Sequence, residues 1–415
     1  MASGYGDLLR TPHAARLLGG TLVGRLPNAM AALAVVLFLR AGGAGYGLAG
    51  TLSALYGLAV AVGQPLLGRA VDRRGQPRVM AAAALLSAAG FALLAATGPS
   101  PLPVAVAAVL LAGVATPPLE GGLRALWPDV LGHEERVQKA YALDAAAQEV
   151  LFTLGPLLVT AAVAAASEAA AVVLTGLLGV AGTLIVVTSG PSRQWRAEPR
   201  EAHWLGALRS PGLAVLLGTC FFIGIALGAF SLAAVAYGGA HGGGPAAAYV
   251  LAANGAGALT GGLWYGSRTF AGAPERRLRL LAVGLAACYP PLLLTPGLGW
   301  MLPLAALSGL FLAPTLACGF LVVDRHAPAG TVTEAFSWVV TAVGVGAALG
   351  TAAAGLAAQH GGSTAGFAVG AVSGAVALLV LLSTGRILTV PNLKTDTEKD
   401  PNPAAEPRFS TSHQA

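Results

Sequence analysis

A few ionisable side chains interrupt the long apolar runs of this chain, and they are where chemistry can occur. Arg25 stands in Gly24-Arg25-Leu26-Pro27-Asn28. Glu120 and Arg124 stand in Pro117-Pro118-Leu119-Glu120-Gly121-Gly122-Leu123-Arg124. Asp144, Gln148 and Glu149 share a third run. Away from water such groups are expensive, so each pairs with an opposite charge, takes up a proton or holds a polar ligand. Their chemistry is therefore binding and proton exchange, and no nucleophile, base and oxyanion donor come together here. Asn28 beside Pro27 offers either a ligand contact or a partner for backbone that the proline leaves unpaired.

The elements that position these groups follow from composition. Of 415 residues, 55% are hydrophobic and 10% are charged. A soluble domain carries about 25% charged residues, so a soluble enzyme is excluded and an all-α polytopic membrane protein remains. A span needs about 20 apolar residues. Apolar segments fall at 14–39, 46–67, 79–97, 103–126, 137–165, 169–188, 212–237, 246–266, 278–295, 299–323, 334–358 and 364–388. The expected units are an N-terminal six-helix bundle over 1–188, a linker over 189–211 and a C-terminal six-helix bundle over 212–388. A polar, proline-containing tail over 389–415 is expected to be disordered.

Lys and Arg orient the chain. With the N-terminus inside, the inner loops hold Arg69, Arg73, Arg74, Arg78, Arg124, Arg136, Lys139, Arg193, Arg196, Arg200, Arg209, Arg268, Arg276, Arg277, Arg279 and Arg325, against Arg40 alone outside. Both termini are thus expected in the cytoplasm of a multi-pass plasma-membrane protein. The basic residues lie in short clusters between spans and form no basic aromatic face, so nucleic acid is not an expected partner. Cys220, Cys288 and Cys318 sit inside apolar runs and the seven His are scattered, so no metal site is expected.

The halves resemble each other. Leu17-Leu18-Gly19 matches Leu216-Leu217-Gly218, Gly68 matches Gly266, and Gly113 and Pro118 match Gly309 and Pro314. Ala140 and Gly155 match Ala335 and Gly350. Order and near-constant spacing point to a duplicated six-span unit.

After the second span the chain reads Gly68-Arg69-Ala70-Val71-Asp72-Arg73-Arg74-Gly75-Gln76-Pro77-Arg78. This resembles the loop signature of the major facilitator superfamily, Gly-x-x-x-Asp-Arg-x-Gly followed by basic residues, at the place where that family carries it. Gln76-Pro77 departs from it, and the second half retains only Gly266-Ser267-Arg268. The resemblance implies twelve transmembrane helices in two pseudo-symmetric bundles and secondary transport by alternating access. It implies that Asp72 faces the start of span eleven in one conformation and that Arg73 helps lock that contact. Gly68 and Gly75 would permit the close approach and the turn, and Arg78 completes the latch loop. Gly155-Pro156 in span five is similar to the kink of drug-efflux members, without their trailing glycines. That favours proton-coupled export of a small drug-like or metabolite molecule by a monomer in the lipid bilayer. A proton gradient supplies the energy and no cofactor is needed. A proton symporter or sugar-type exporter, and a non-transporting sensor or lipid scramblase, stay open.

Depth along each helix then suggests a pair. Arg25 lies roughly 17 Å and Glu149 roughly 18 Å along their spans, near the middle of a core about 30 Å thick. Spans one and five are neighbours in the family fold, so Arg25 is expected to pair with Glu149, as a protonation switch or as a static packing pair. Asp144 and Glu120 are expected in a second layer roughly 10 Å from the inner face, where Asp144 could also simply partner Arg124 or the inner loop. Glu334 reads as an acid at a helix start. The C-terminal half carries Phe221, Phe222, Phe230, Trp264, Phe336 and Trp338 but little charge, which suits an amphipathic or lipophilic substrate.

Enzyme motifs fail on context. Gly45-Tyr46-Gly47-Leu48-Ala49-Gly50 follows no strand, His241-Gly242-Gly243-Gly244 has no serine elbow to serve, and no phosphate-cradling loop exists.

Overall fold

In hydrocarbon, backbone amides must find partners inside their own segment, so an apolar chain of this kind resolves into helices. The computed structural model describes residues 5–199, 203–241, 244–270 and 272–388, and among them there is no strand. The tail expected to be disordered over 389–415 lies outside the described residues.

Among the described residues ten helices are long and apolar enough to cross a membrane. One of them, Val332–Ser383, leaves helical geometry at Gly361 and Gly362 and holds two crossings, spans eleven and twelve. Gly244–Ser267 is also long enough to cross, but its glycines and Asn254 make it less apolar; it is span eight. The others are span one (Ala14–Ala41), span two (Tyr46–Arg74), span three (Gln76–Thr97), span five (Glu134–Ala165), span six (Glu168–Val187) and span seven (Pro211–Ala240). Span nine is Pro274–Cys288 followed by a 3-10 turn, Pro290–Leu294.

Spans four and ten are each broken in two, Leu102–Val114 with Leu119–Leu131, and Leu298–Leu310 with Leu312–His326. Pro117 and Pro118 lack the amide hydrogens that would carry span four through. Carbonyls freed there are taken up by side chains, since Gln64 Nε2 donates to Thr116 O at 3.2 Å. The break in span ten falls at the position equivalent to that in span four, so the repeat extends to the interruptions.

Small residues set the distance between helices, because lipid offers no hydrophobic drive to associate and close backbone packing must supply it. Spans seven and eleven show this most clearly. A side chain on Gly224 or Gly228 would strike the backbone of Val343 or Ala347, and one on Gly346 or Gly350 would strike Phe221 or Ile225. The two bundles then meet at the Arg-rich end, where spans two, four and five lie against spans eight, ten and eleven.

Candidate functional site

Four buried charges form a closed ring inside the N-terminal bundle. Arg25 of span one donates through Nη1 to Asp144 Oδ1 at 2.6 Å and through Nη2 to Gln148 Oε1 at 2.9 Å. Its Nη2 also lies 3.0 Å from Glu120 Oε1. Arg124 completes the ring, with Nε 2.9 Å from Asp144 Oδ2 and Nη2 3.3 Å from Glu120 Oε2. Each acid thus bridges both guanidiniums, and the quartet is neutral. Asp144 is wholly buried and Arg25 and Arg124 nearly so, so each charge depends on the others.

The expected pair of Arg25 with Glu149 is not formed, and the expected second layer of Asp144 and Glu120 does not exist. The cause is where the helices start. Span five begins at Glu134 and span four runs on to Leu131, each farther toward the Arg-rich end than the apolar segments. Asp144 is therefore roughly 15 Å along its helix and Glu120 roughly 17 Å, level with Arg25, whereas Glu149 is roughly 22 Å along. Direction agrees with depth. Asp144 and Gln148 are four apart and share the face turned to span one, and Glu149 points about 100° away from Gln148.

Glu149 is half-buried at the seam with span eight, where Gly255 comes within 4.0 Å of its carboxylate when a Cβ is placed on that glycine. Its carboxylate has no ion-pair or hydrogen-bond partner among the described residues, while its backbone carbonyl accepts from Thr153 Oγ1 at 3.0 Å. Asn28, one turn from Arg25, is exposed. Gly155 abuts Ala29 of span one and Pro156 lies inside the helix of span five.

A second constellation closes the Arg-rich end between the bundles. Asp72 accepts from the backbone amides of Thr333 and Glu334 at 3.1 and 2.8 Å, capping the start of span eleven. Unpaired amides and the helix dipole there both favour an anion. Gly68 leaves room for Ser337 and the Glu334 backbone, and Gly75 has φ of 84°, open to glycine at little strain. The ion pair beside this cap comes from Arg69, whose Nη2 lies 2.5 Å from Glu334 Oε1. Arg73, expected to lock the contact, is exposed and has no ion pair among the described residues, as does Arg78. One residue of helix is about 100° of rotation, so Arg69, three before Asp72, shares its face and Arg73 does not. Glu334, read as a plain helix-start acid, is thus an ion-pair partner across the interface of the two bundles.

On the other side of the pseudo-twofold axis the bundles are joined by an ion pair, Arg325 Nη2 lying 2.6 Å from Glu134 Oε1, and by neutral bonds. Gln138 Nε2 donates to Arg268 O at 3.2 Å and Tyr5 Oη to Leu263 O at 2.8 Å. Burial pushes the Tyr5 phenol up to about 12, so it remains a donor across the physiological pH range. Between these contacts the Arg124 guanidinium lies 3.7 Å over the Phe320 ring, and Tyr141 meets Phe320 and Phe336 with ring centroids 6.0 Å apart in each case.

The sequence model of the Major Facilitator Superfamily matches residues 17–331. The chain belongs to that superfamily. A comparison with curated protein sequences gives no match. Solved superfamily structures share its fold. The human organic anion transporter MFSD10 (TETRAN) is 17% identical, with a TM-score of 0.69 over 89% of this chain and 99% of its own. A bacterial homologue of the iron transporter ferroportin, in an outward-facing state, is 16% identical, with a TM-score of 0.71 over 90% and 99%. The E. coli fucose:proton symporter FucP is 14% identical, with a TM-score of 0.65 over 89% and 97%.

Within this superfamily fold, several residues of the two constellations carry no signal in the loop signature. Arg124 reads as an inner-loop basic residue and as one candidate partner of Asp144; it does pair with Asp144 at 2.8 Å, because span four continues past it. Phe320 and Tyr141 look like ordinary core aromatics. Gln76 departs from the signature, and burial explains it, since its Nε2 donates to Gly122 O at 2.9 Å and its Oε1 accepts from Ser192 Oγ at 2.9 Å. A cation there would be buried without a partner.

Proposed function

We propose that this superfamily member is a proton-coupled exporter of a small drug-like or metabolite molecule. It works as a monomer in the plasma membrane with both termini cytoplasmic. The orientation rests on the concentration of Arg at one end. The observation that carries alternating access is the Asp72 cap on span eleven, a contact between bundles that one carboxylate makes or releases. Under alternating access, a contact closed at the Arg-rich end leaves the opposite, outer side as the route to the substrate. Coupling falls to Glu149, the unpartnered acid between the bundles, and not to the neutral quartet, in which every charge is already compensated. A proton on Glu149 relieves an otherwise uncompensated carboxylate in a low-dielectric setting.

Cells loaded with labelled drugs and metabolites provide the test. Export that stops when a protonophore is added, and that Glu149→Gln uncouples from the gradient, supports the reading. Export indifferent to both overturns the coupling, and gradient-driven uptake in place of export makes the protein a symporter. Vesicles that move labelled lipid but no solute would replace transport by scrambling.

A further inference from the structure

We propose that the linker between the bundles is itself a working part of the inner gate, with the turn from Trp204 to Gly206 lying as a strap across the Arg69–Glu334 pair. The inference rests on the alternating-access reading of the Arg-rich end and on neither the substrate nor the proton coupling.

The two ends of the linker are fixed to different bundles. At its start, Ser192 Oγ donates to Gln76 Oε1 at 2.9 Å, Trp195 is buried, and the Arg196 guanidinium lies beside Gly75. These contacts hold it on the turn between spans two and three. At its end, Ser210 Oγ accepts from the Leu213 amide at 3.2 Å and caps the start of span seven. Just before that cap, the 3-10 turn Gly206–Arg209 packs against spans seven and eleven, with Ala207 wholly buried.

Two contacts make this crossing more than a tether. The Arg69 guanidinium is shared, since Nη2 pairs with Glu334 while Nη1 donates to Trp204 O at 3.1 Å. Gly206 then sits directly on that pair. Its φ is 56°, and a Cβ there would overlap both carboxylate oxygens of Glu334 and Arg69 Nη2. Only glycine lets the chain pass this close in this conformation. Glu334 Oε2 is buried and accepts no hydrogen bond among the described residues, so Arg69 is what holds the charge under the strap.

Arg69 belongs to span two and Glu334 to span eleven. Opening at the Arg-rich end separates those spans, so Arg69 cannot keep both Glu334 and the strap docked beside it. Undocking of the strap and opening of the gate are then one event, and a change that disturbs either favours both.

Gly206→Ala tests this, with Gly132→Ala as the control. Gly132, between spans four and five, has φ of 69° and open space where a Cβ would go, so it carries the backbone strain without the collision. The readout is labelling of Ser337→Cys by an impermeant maleimide in inverted vesicles. Gly206→Ala should speed it by at least about fivefold, and Gly132→Ala by less than about twofold. In a Glu334→Ala background the collision partner is gone, so Gly206→Ala should add less than about twofold. Hydrogen exchange of the amides over 203–210 reads the strap from the other side, and Asp72→Asn should speed it by at least about fivefold. Labelling that Gly206→Ala leaves unchanged, or that Gly132→Ala speeds equally, overturns the proposal. So does slow strap exchange in an Asp72→Asn protein whose gate has opened. The exchange measurement leaves Gly206 in place and decides the matter if Gly206→Ala does not fold. Should Gly206→Ala open the gate and Asp72→Asn fail to, the strap stands and the Asp72 cap loses its place as the latch.

Discussion

Arg124 and Phe320 occupy equivalent positions in the two halves, and they touch across the pseudo-twofold axis with the guanidinium 3.7 Å over the ring. The alignment of Gly113 with Gly309 and Pro118 with Pro314 carries Arg124 onto Phe320, and that of Ala140 with Ala335 carries Tyr141 onto Phe336. The duplicated unit has diverged at these two positions into complementary partners, a cation and a phenol from one half against two rings from the other. The same Arg124 belongs to the buried quartet, so gate closure and the charge network share a side chain.

Phe320→Leu should loosen the closed gate while leaving each bundle intact. A desolvated cation–π contact contributes about 2 kcal/mol. Its loss should raise the population open at the Arg-rich end by up to about thirtyfold if that state is minor. Labelling of a cysteine placed at Ser337 by an impermeant maleimide in inverted vesicles reads this out, and an unchanged rate would count against a role for the ring.

Removing one member of the quartet should harm folding more than removing an opposite pair. Asp144→Asn leaves two guanidiniums sharing one carboxylate and should cost about 3–5 kcal/mol. The double variant Arg25→Leu with Asp144→Leu keeps the Arg124–Glu120 pair, so its melting temperature should exceed that of Asp144→Asn. The opposite order would show that the charges act independently.

Asp72→Asn keeps the shape of the cap but has one acceptor oxygen for two backbone amides and no charge toward the helix start. The loss should be about 1–3 kcal/mol, seen as faster labelling at the Arg-rich end and slower transport. Transport at full rate in this variant would show that the cap is not a working latch.

Gln76→Arg restores the basic residue of the superfamily signature and should nevertheless destabilise this protein by at least about 2 kcal/mol. Gln76 is fully buried and uses both ends of its amide. A variant that melts at the wild-type temperature would show that the pocket around Ser192 and Gly122 accommodates a cation.

The sequence by itself determined the solvent, the number of crossings, the basic end and the duplication. Each depends on a property summed over many residues, such as apolar length, basic-residue asymmetry or repeated glycine and proline spacing, and survives errors of a few residues. It also marked Asp72, because the signature around it is local. Partner choice among the buried charges was decided only by tertiary structure. A helix turns about 100° and rises about 1.5 Å per residue, so moving the starts of two helices by one turn transferred Arg25 from Glu149 to Asp144 and Glu120. Spans four and five show why: their polar, charged ends continue as helix beyond the apolar stretch, and hydropathy does not register that continuation. The contact of Arg124 with Phe320, and the exchange of Arg73 for Arg69 at Glu334, depend on how two bundles meet across an axis that no stretch of sequence contains.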